Sequence, residues 1–291
     1  MKPRRLGPTC LAALLALAAS AASAVAAPKV TVSTQSARPG DPVLVTVTGT
    51  KTLPTGKAGG DALEFFAARA GYQAVFAVPI DAKDQPIEVT VEGAAKPATV
   101  KVRTVTFPEA KVVVEEELAN PAKADRETID ADNTAIIDAM RKATGKPQFA
   151  RAFRRPAGKI TSGFGEWRTF NDGHRSQHFG LDVAAREGAK VVAINAGTVT
   201  LVRDCFLAGT VVVVAHGGGV ASAYYHLSKP SVAEGDVVKA GVEVGHAGKT
   251  GRATGPHLHL SVRVPGGSID PTAFFKLRIS PAAVKKLAGT K

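Results

Sequence analysis

Apolar residues recur at every second position through much of the chain, and this alternation limits the fold more than any other feature. Between Lys29 and Phe107 it runs through Val30 and Val32, then Val43, Val45 and Val47, then Ile87, Val89 and Val91, then Val100 and Val102. Successive side chains of a strand point to opposite faces, so a period of two predicts strands with one face buried. Turn-rich stretches such as Arg38-Pro39-Gly40-Asp41-Pro42 separate the runs, because proline and glycine break the ladder and redirect the chain. Several short strands between such turns predict an N-terminal immunoglobulin-like β-sandwich over residues 28–108. No cluster of reactive side chains falls in it, so a spacer or docking role is expected.

The pattern changes between Glu115 and Pro156, where the chain turns charged and Ala-rich. Ile129, Ile136 and Met140 recur there at roughly helical spacing, which predicts one amphipathic helix ending near Gly145 within a connector over residues 109–150. Strands return from Ile160: Lys190 to Val202, Thr210 to Ala215, Ala221 to His226, Val237 to Val244 and His257 to Val264. They define a second β domain over residues 151–276, followed by a tail over 277–291. Within it Glu187–Ala193 and Glu234–Ala240 both read E-G-x-x-V-x-A, which points to a duplicated β motif.

A length of 291 residues suits two such domains. Residues 1–26 read as a secretory signal rather than as structure. Lys2, Arg4 and Arg5 precede an apolar run from Leu11 to Ala26, and small residues stand before Ala27. The run is shorter than the ~20 residues a spanning helix needs, so no stable membrane insertion is expected after cleavage. Those three cations are part of the net charge of +12, so residues 27–291 carry +9 and one cysteine, Cys205. No disulfide can form within that portion, and stability must come from packing or a bound metal. A basic exported chain suits an acidic partner such as a cell-wall polymer, and export makes nucleic acid an unsuitable one.

Two short segments carry the chemistry. In His257-Leu258-His259-Leu260 both imidazoles must share one strand face. In His178-Phe179-Gly180-Leu181-Asp182 an extended chain also puts the histidine and the aspartate on one face, with Gly180 leaving room for something to approach. Two imidazole nitrogens and a carboxylate oxygen suit catalytic zinc, which keeps its fourth position for water. The bland alternative is a solvated strand face. His174, His216 and His246 lie in or beside glycine-containing loops and are expected to be exposed turn residues.

The ordered motifs Thr161-Ser162-Gly163-Phe164-Gly165, His178 to Asp182, Tyr225-His226-Leu227 and Gly255-Pro256-His257-Leu258-His259 resemble the lysostaphin/LytM-type zinc endopeptidases of bacterial cell walls. The resemblance covers about Lys159 to Phe275. It implies a mainly β fold whose C-terminal unit is an antiparallel β peptidase domain of duplicated hybrid-motif type. It makes His178, Asp182 and His259 the ligands of one Zn2+ per chain and His226 and His257 the unligated catalytic histidines. It also implies peptidoglycan as partner and a periplasmic, extracellular or cell-wall location. Two positions depart from the family pattern: Ser261 where an acidic residue is common, and Trp167 where a second arginine often precedes Arg168.

Three other readings compete. Some relatives of this family lack the ligands and activate other wall hydrolases, so a non-catalytic regulator working with a protein partner is the alternative to an enzyme. A wall-binding module resting on the basic surface is another. A thiol mechanism at Cys205 is disfavoured by its place near a hairpin turn rather than at a helix start.

Overall fold

The computed structural model describes residues 27–282; the expected signal over residues 1–26, with Cys10, and the last nine residues of the expected tail lie outside them. The N-terminal part contains strands β1 (Lys29–Val32), β2 (Ser36–Ala37), β3 (Pro42–Thr48), β4 (Gly56–Ala58), β5 (Asp61–Ala62), β6 (Phe66–Ala68), β7 (Gly71–Ala77), β8 (Ile87–Val91) and β9 (Ala98–Val102). They form two sheets, ordered β1-β3-β7-β6 and β2-β9-β8-β4-β5. The alternating valines of both sheets, Val43, Val45 and Val47 with Val89, Val91, Val100 and Val102, meet in one buried cluster with Phe76. The period of two thus builds a sandwich core.

The connector is more structured than its composition suggests. It opens with β10 (Glu109–Val112), continues through the short α1 (Glu116–Ala119) and ends in α2 (Lys123–Arg141). Two helices therefore stand where one is predicted, and Pro121 separates them: proline cannot supply an interior amide and restricts the residue before it. The connector is also not a free linker. Ile136, Ala139 and Met140 of α2 pack with Val211, Val213, Ala221 and Ala223 in a second core cluster.

The C-terminal part contains β11 (Ile160–Ser162), β12 (Trp167–Phe170), β13 (Arg175–Gln177), β14 (Leu181–Ala184), β15 (Lys190–Val192), β16 (Gly197–Cys205), β17 (Gly209–Gly217), β18 (Val220–Pro230), β19 (Val237–Val238), β20 (Glu243–Ala247), β21 (His257–Val264), β22 (Gly267–Ile269) and the one-turn α3 (Pro271–Phe274). Its main sheet follows the order β11-β14-β21-β18-β17-β16-β19. β17 is buried along its whole length. Val212 and Val214 enter one core, Val211 and Val213 the core beneath α2, which explains an unbroken valine run in place of alternation.

Two predicted strands are in fact broken. Lys190 to Val202 divides into β15 and β16, and Val237 to Val244 into β19 and β20. The breaks are equivalent: β15 pairs with β20 while β16 pairs with β19. Each E-G-x-x-V-x-A copy thus supplies a short strand that the chain following the other copy completes. The break after Val192 is held by Asn195, whose side chain bonds Ala196 N and Arg151 O, and by Ala193 N bonded to Val242 O. The two parts also share a core, in which Leu44, Phe66 and Val75 join Phe149, Phe153, Val264 and Phe274.

Candidate metal centre

β21 lies between β14 and β18, and this placement assembles the site. Antiparallel register sets Asp182 opposite His259 on one side and Tyr225 opposite His259 on the other. Along β21 the side chains of Leu258, Leu260 and Val262 enter the core, so His257, His259, Ser261 and Arg263 share the other face. His178 arrives just before β14. The room at Gly180 is used by His259: a Cβ built there would stand 2.6 Å from its Cε1 and Nε2 and 2.7 Å from Leu260 O.

Three ligating atoms converge. His178 Nε2 lies 3.0 Å from Asp182 Oδ1 and 2.8 Å from His259 Nδ1, and His259 Nδ1 lies 2.8 Å from the same carboxylate oxygen. Neighbouring groups fix which nitrogen faces inward. His178 Nδ1 is 2.7 Å from Gly163 O, the hydrogen bond that sets its tautomer and leaves Nε2 as the lone-pair donor. On the far side of His259, Nε2 is 3.5 Å from Ser261 Oγ, and that hydroxyl donates to Phe179 O. Asp182 turns its other oxygen to Arg168, whose Nη2 donates at 2.6 Å while also donating to Ser162 Oγ at 2.9 Å. Burial alone would raise the Asp182 pKa, but the close contacts with the His178 and His259 rings outweigh it and hold the carboxyl well below the usual range.

The donor set fits a divalent cation. Two imidazoles and a carboxylate turn lone pairs toward one point, where neutral rings have too few protons to bridge every pair. A borderline cation such as zinc takes this N₂O set and keeps a further position open.

His226 and His257 stand beside the three, with ring centroids 5.0 Å apart. His226 Nδ1 is 2.8 Å from Thr250 O and His257 Nδ1 is 2.8 Å from Gly255 O, so each neutral ring presents a free Nε2. His257 Nε2 is 3.7 Å from Asp182 Oδ1. His226 has φ of 59°, the one non-glycine residue with positive φ among the described residues. It sits where the β17–β18 register slips between Tyr224 and Leu227. A bulge beside a site re-aims a side chain that regular pleating would point elsewhere. Burial, then repulsion from His259 and His257, pushes its pKa down to about 3, and burial brings His259 to about 4.

These side chains line a groove of about 520 Å³. Lys111 and Val113 from the connector and Asn133 of α2 border it, so segments outside the predicted second domain shape the site. Arg168 and Ser261, which touch Asp182 and His259, are the residues of this cluster to which the sequence reading gave no role. Ser261 was noted as a departure alone, although its place on the His257 and His259 face was a usable signal. His174 is exposed as predicted, but His216 is not. It is fully buried on β17, with Nδ1 2.8 Å from Ala196 O and its ring edge-on to Phe153. His246 is half-buried on β20 rather than in a loop. Cys205 is buried, which pushes its thiol up to about 11 and keeps it protonated, and it does not line the groove.

Residues 176–271 match the family model described as peptidase family M23, which places an M23 peptidase domain in the C-terminal part of the chain. The peptidoglycan DD-endopeptidase ShyB of Vibrio cholerae is 34% identical over 154 residues, 51% of this chain and 35% of that protein. The DD-carboxypeptidase/endopeptidase Mpg of Neisseria meningitidis (strain MC58) is 41% identical over 96 residues, 33% of this chain and 22% of that protein. This chain therefore spans about a third or less of the length of these curated relatives. A crystal structure described as a peptidase M23 from Pseudomonas aeruginosa superposes with a TM-score of 0.63 at 28% identity, covering 81% of this chain and 93% of that one. At 81% coverage that likeness reaches beyond the peptidase domain.

Proposed function

We propose that the chain is an exported zinc metalloendopeptidase, acting in the periplasm or cell wall on peptide bonds of peptidoglycan stem peptides or cross-bridges. The observation that carries this reading is the convergence of His178, Asp182 and His259 beside two further imidazoles with free Nε2 atoms. The match of residues 176–271 to the peptidase family M23 model and the similarity to proteins named as DD-endopeptidases support the substrate class.

In this reading His178 Nε2, Asp182 Oδ1 and His259 Nδ1 hold the metal. Bound zinc supplies Lewis acidity toward the scissile carbonyl and lowers the pKa of water toward about 7. The chain's own residues do the rest. Arg168 holds Asp182 so that one oxygen faces the two histidines, and the backbone acceptors Gly163, Thr250 and Gly255 fix the ring tautomers. His226 and His257 begin as neutral proton acceptors at Nε2. The ring that gains a proton becomes a donor, toward the developing oxyanion or the leaving amine. Backbone and side chains of the groove keep the substrate extended beside these atoms.

Zinc-loaded protein incubated with purified cross-linked muropeptide dimers should convert them to monomers whose masses identify the broken bond as an amide. Dimers left intact by a correctly folded, zinc-loaded chain would contradict the reading. A regulator that acts by binding alone needs none of the hydrogen bonds that orient these five side chains.

A further inference from the structure

The groove does not end at the metal centre. It continues beneath α2 and the Pro79–Asp81 loop into a chamber of about 640 Å³, and Arg252, Tyr225 and Ser261 line both spaces. Arg263 lines the chamber alone of the two, on the same strand face as His257, His259 and Ser261. Four residues of strand separate Arg263 from His259, roughly 13 Å at about 3.3 Å per residue. The passage thus runs for several residues of an extended peptide.

Two of its arginines combine burial with the lack of an ion pair. Among the described residues Arg38, Arg141, Arg168, Arg175 and Arg203 each hold a carboxylate in an ion pair. The other described arginines have no such pair, and of these Arg252 and Arg263 alone are half-buried while the rest are exposed. Asp81 is the one carboxylate lining the chamber and pairs with neither. Burial, then repulsion from Arg168 and Arg141 respectively, lowers the pKa of the two guanidiniums, and the nearby Asp172 and Asp61 offset this only in part. Arg252 is also held in place: its guanidinium carbon lies 4.2 Å from the centroid of the Phe170 ring, and its amide donates to Leu207 O at 2.8 Å. A guanidinium stacked on an aromatic face keeps its N–H edge free, and that planar fork matches a carboxylate.

We propose that this chamber is a carboxylate subsite of the substrate groove, with Arg252 as the residue that binds a free carboxyl group of the peptide and Arg263 adding positive field at the inner end. The inference rests on the endopeptidase reading for its substrate and names the feature that substrate must carry. Peptides whose corresponding carboxyl is amidated should bind less well, because they offer no charge to replace the water that the guanidinium has lost.

The test compares two forms of one cross-linked stem-peptide dimer, freed of glycan, with its carboxyl groups either free or amidated. Zinc-loaded protein should show kcat/KM about tenfold or more in favour of the free form, mainly through KM, as expected for a hydrogen bond to a charged group. Arg252→Met should collapse that ratio to within about twofold, and Arg252→Lys should restore part of it. Arg263→Met should reduce it less. Calorimetric binding of the same dimers in the His257→Ala background gives a readout that does not need turnover. If Arg252→Met keeps the wild-type ratio, or if the wild type cleaves and binds both forms equally, the subsite is wrong while the endopeptidase reading stands. If neither dimer is cleaved but the free form binds better in an Arg252-dependent way, the subsite stands and the endopeptidase reading falls.

Discussion

Asp182 shows how one residue is held by its surroundings: two imidazoles meet one of its oxygens and a guanidinium meets the other. Replacing His178, Asp182 or His259 by alanine should remove both bound zinc and hydrolysis, whereas His226→Ala or His257→Ala should retain zinc and lose about 10²-fold to 10⁴-fold in rate. Metal analysis beside kinetics checks the split, and full zinc in all three ligand variants would contradict it. His216 makes a separate prediction about pH. Burial lowers its folded pKa to about 4 from 6.5, so between those values the unfolded chain binds the proton and the folded chain does not. Stability should therefore fall as pH drops through that window, by up to about 3 kcal/mol from this residue. Urea unfolding at pH 7 and pH 4.5 should show a shallower pH dependence in His216→Gln than in the wild type, and equal dependence would refute the assignment. The motifs that bring His178, Asp182 and His259 together were legible because alternation fixes which side chains share a face. His216 was misread because Gly217, Gly218 and Gly219 beside it signal a turn, while the strand before them carries the ring into the core.

At the scale of elements, the decisive feature is α2, which was predicted as a helix but not as a wall of the site. Its apolar positions announce an amphipathic helix without saying which surface it covers. The structure lays it on Val211, Val213 and Ala221, and one buried aspartate anchors it there. Asp132 accepts from Arg203 Nε and from Phe206 N, both at 2.8 Å. Asp132→Ala should destabilise the protein by about 1–2 kcal/mol, since it leaves the Phe206 amide without its partner while the exposed Arg203 returns to water. The same variant should loosen the groove, raising KM more than it lowers kcat; an unchanged melting temperature would show that α2 is not fixed through this residue. The broken strands teach a related lesson. Apolar periodicity runs through Ala193 and Ile194 without interruption, so the sequence offers no mark of the turn that Asn195 and the partner segments impose from elsewhere in the fold.

For the molecule as a whole, the sandwich and the peptidase sheet are joined by shared apolar packing rather than by a linker alone. Phe149 is fully buried between Phe66 of the sandwich and Phe153, with ring centroids 5.6 Å and 4.9 Å away. Phe149→Ala should cost about 3–5 kcal/mol, and it should lower the stability of both parts together in one calorimetric transition. Two separated transitions in the wild type would contradict the joint core. The sequence could predict two β units from their spacing, but not this union, because long-range packing between them leaves no periodic trace. The central claim concerns the bond that is broken. A glycosidic bond has no carbonyl to polarise and is normally cleaved by a pair of carboxylic acids, whereas this groove presents a cluster of histidines around Asp182. The most direct measurement is therefore the digestion of purified peptidoglycan, scored at once for new amino termini and new reducing sugar ends. The account predicts amino termini in proportion to turnover, no reducing ends, loss of activity with a zinc chelator and recovery when zinc is restored. Reducing ends, or amino termini released equally well in the presence of chelator, would contradict it.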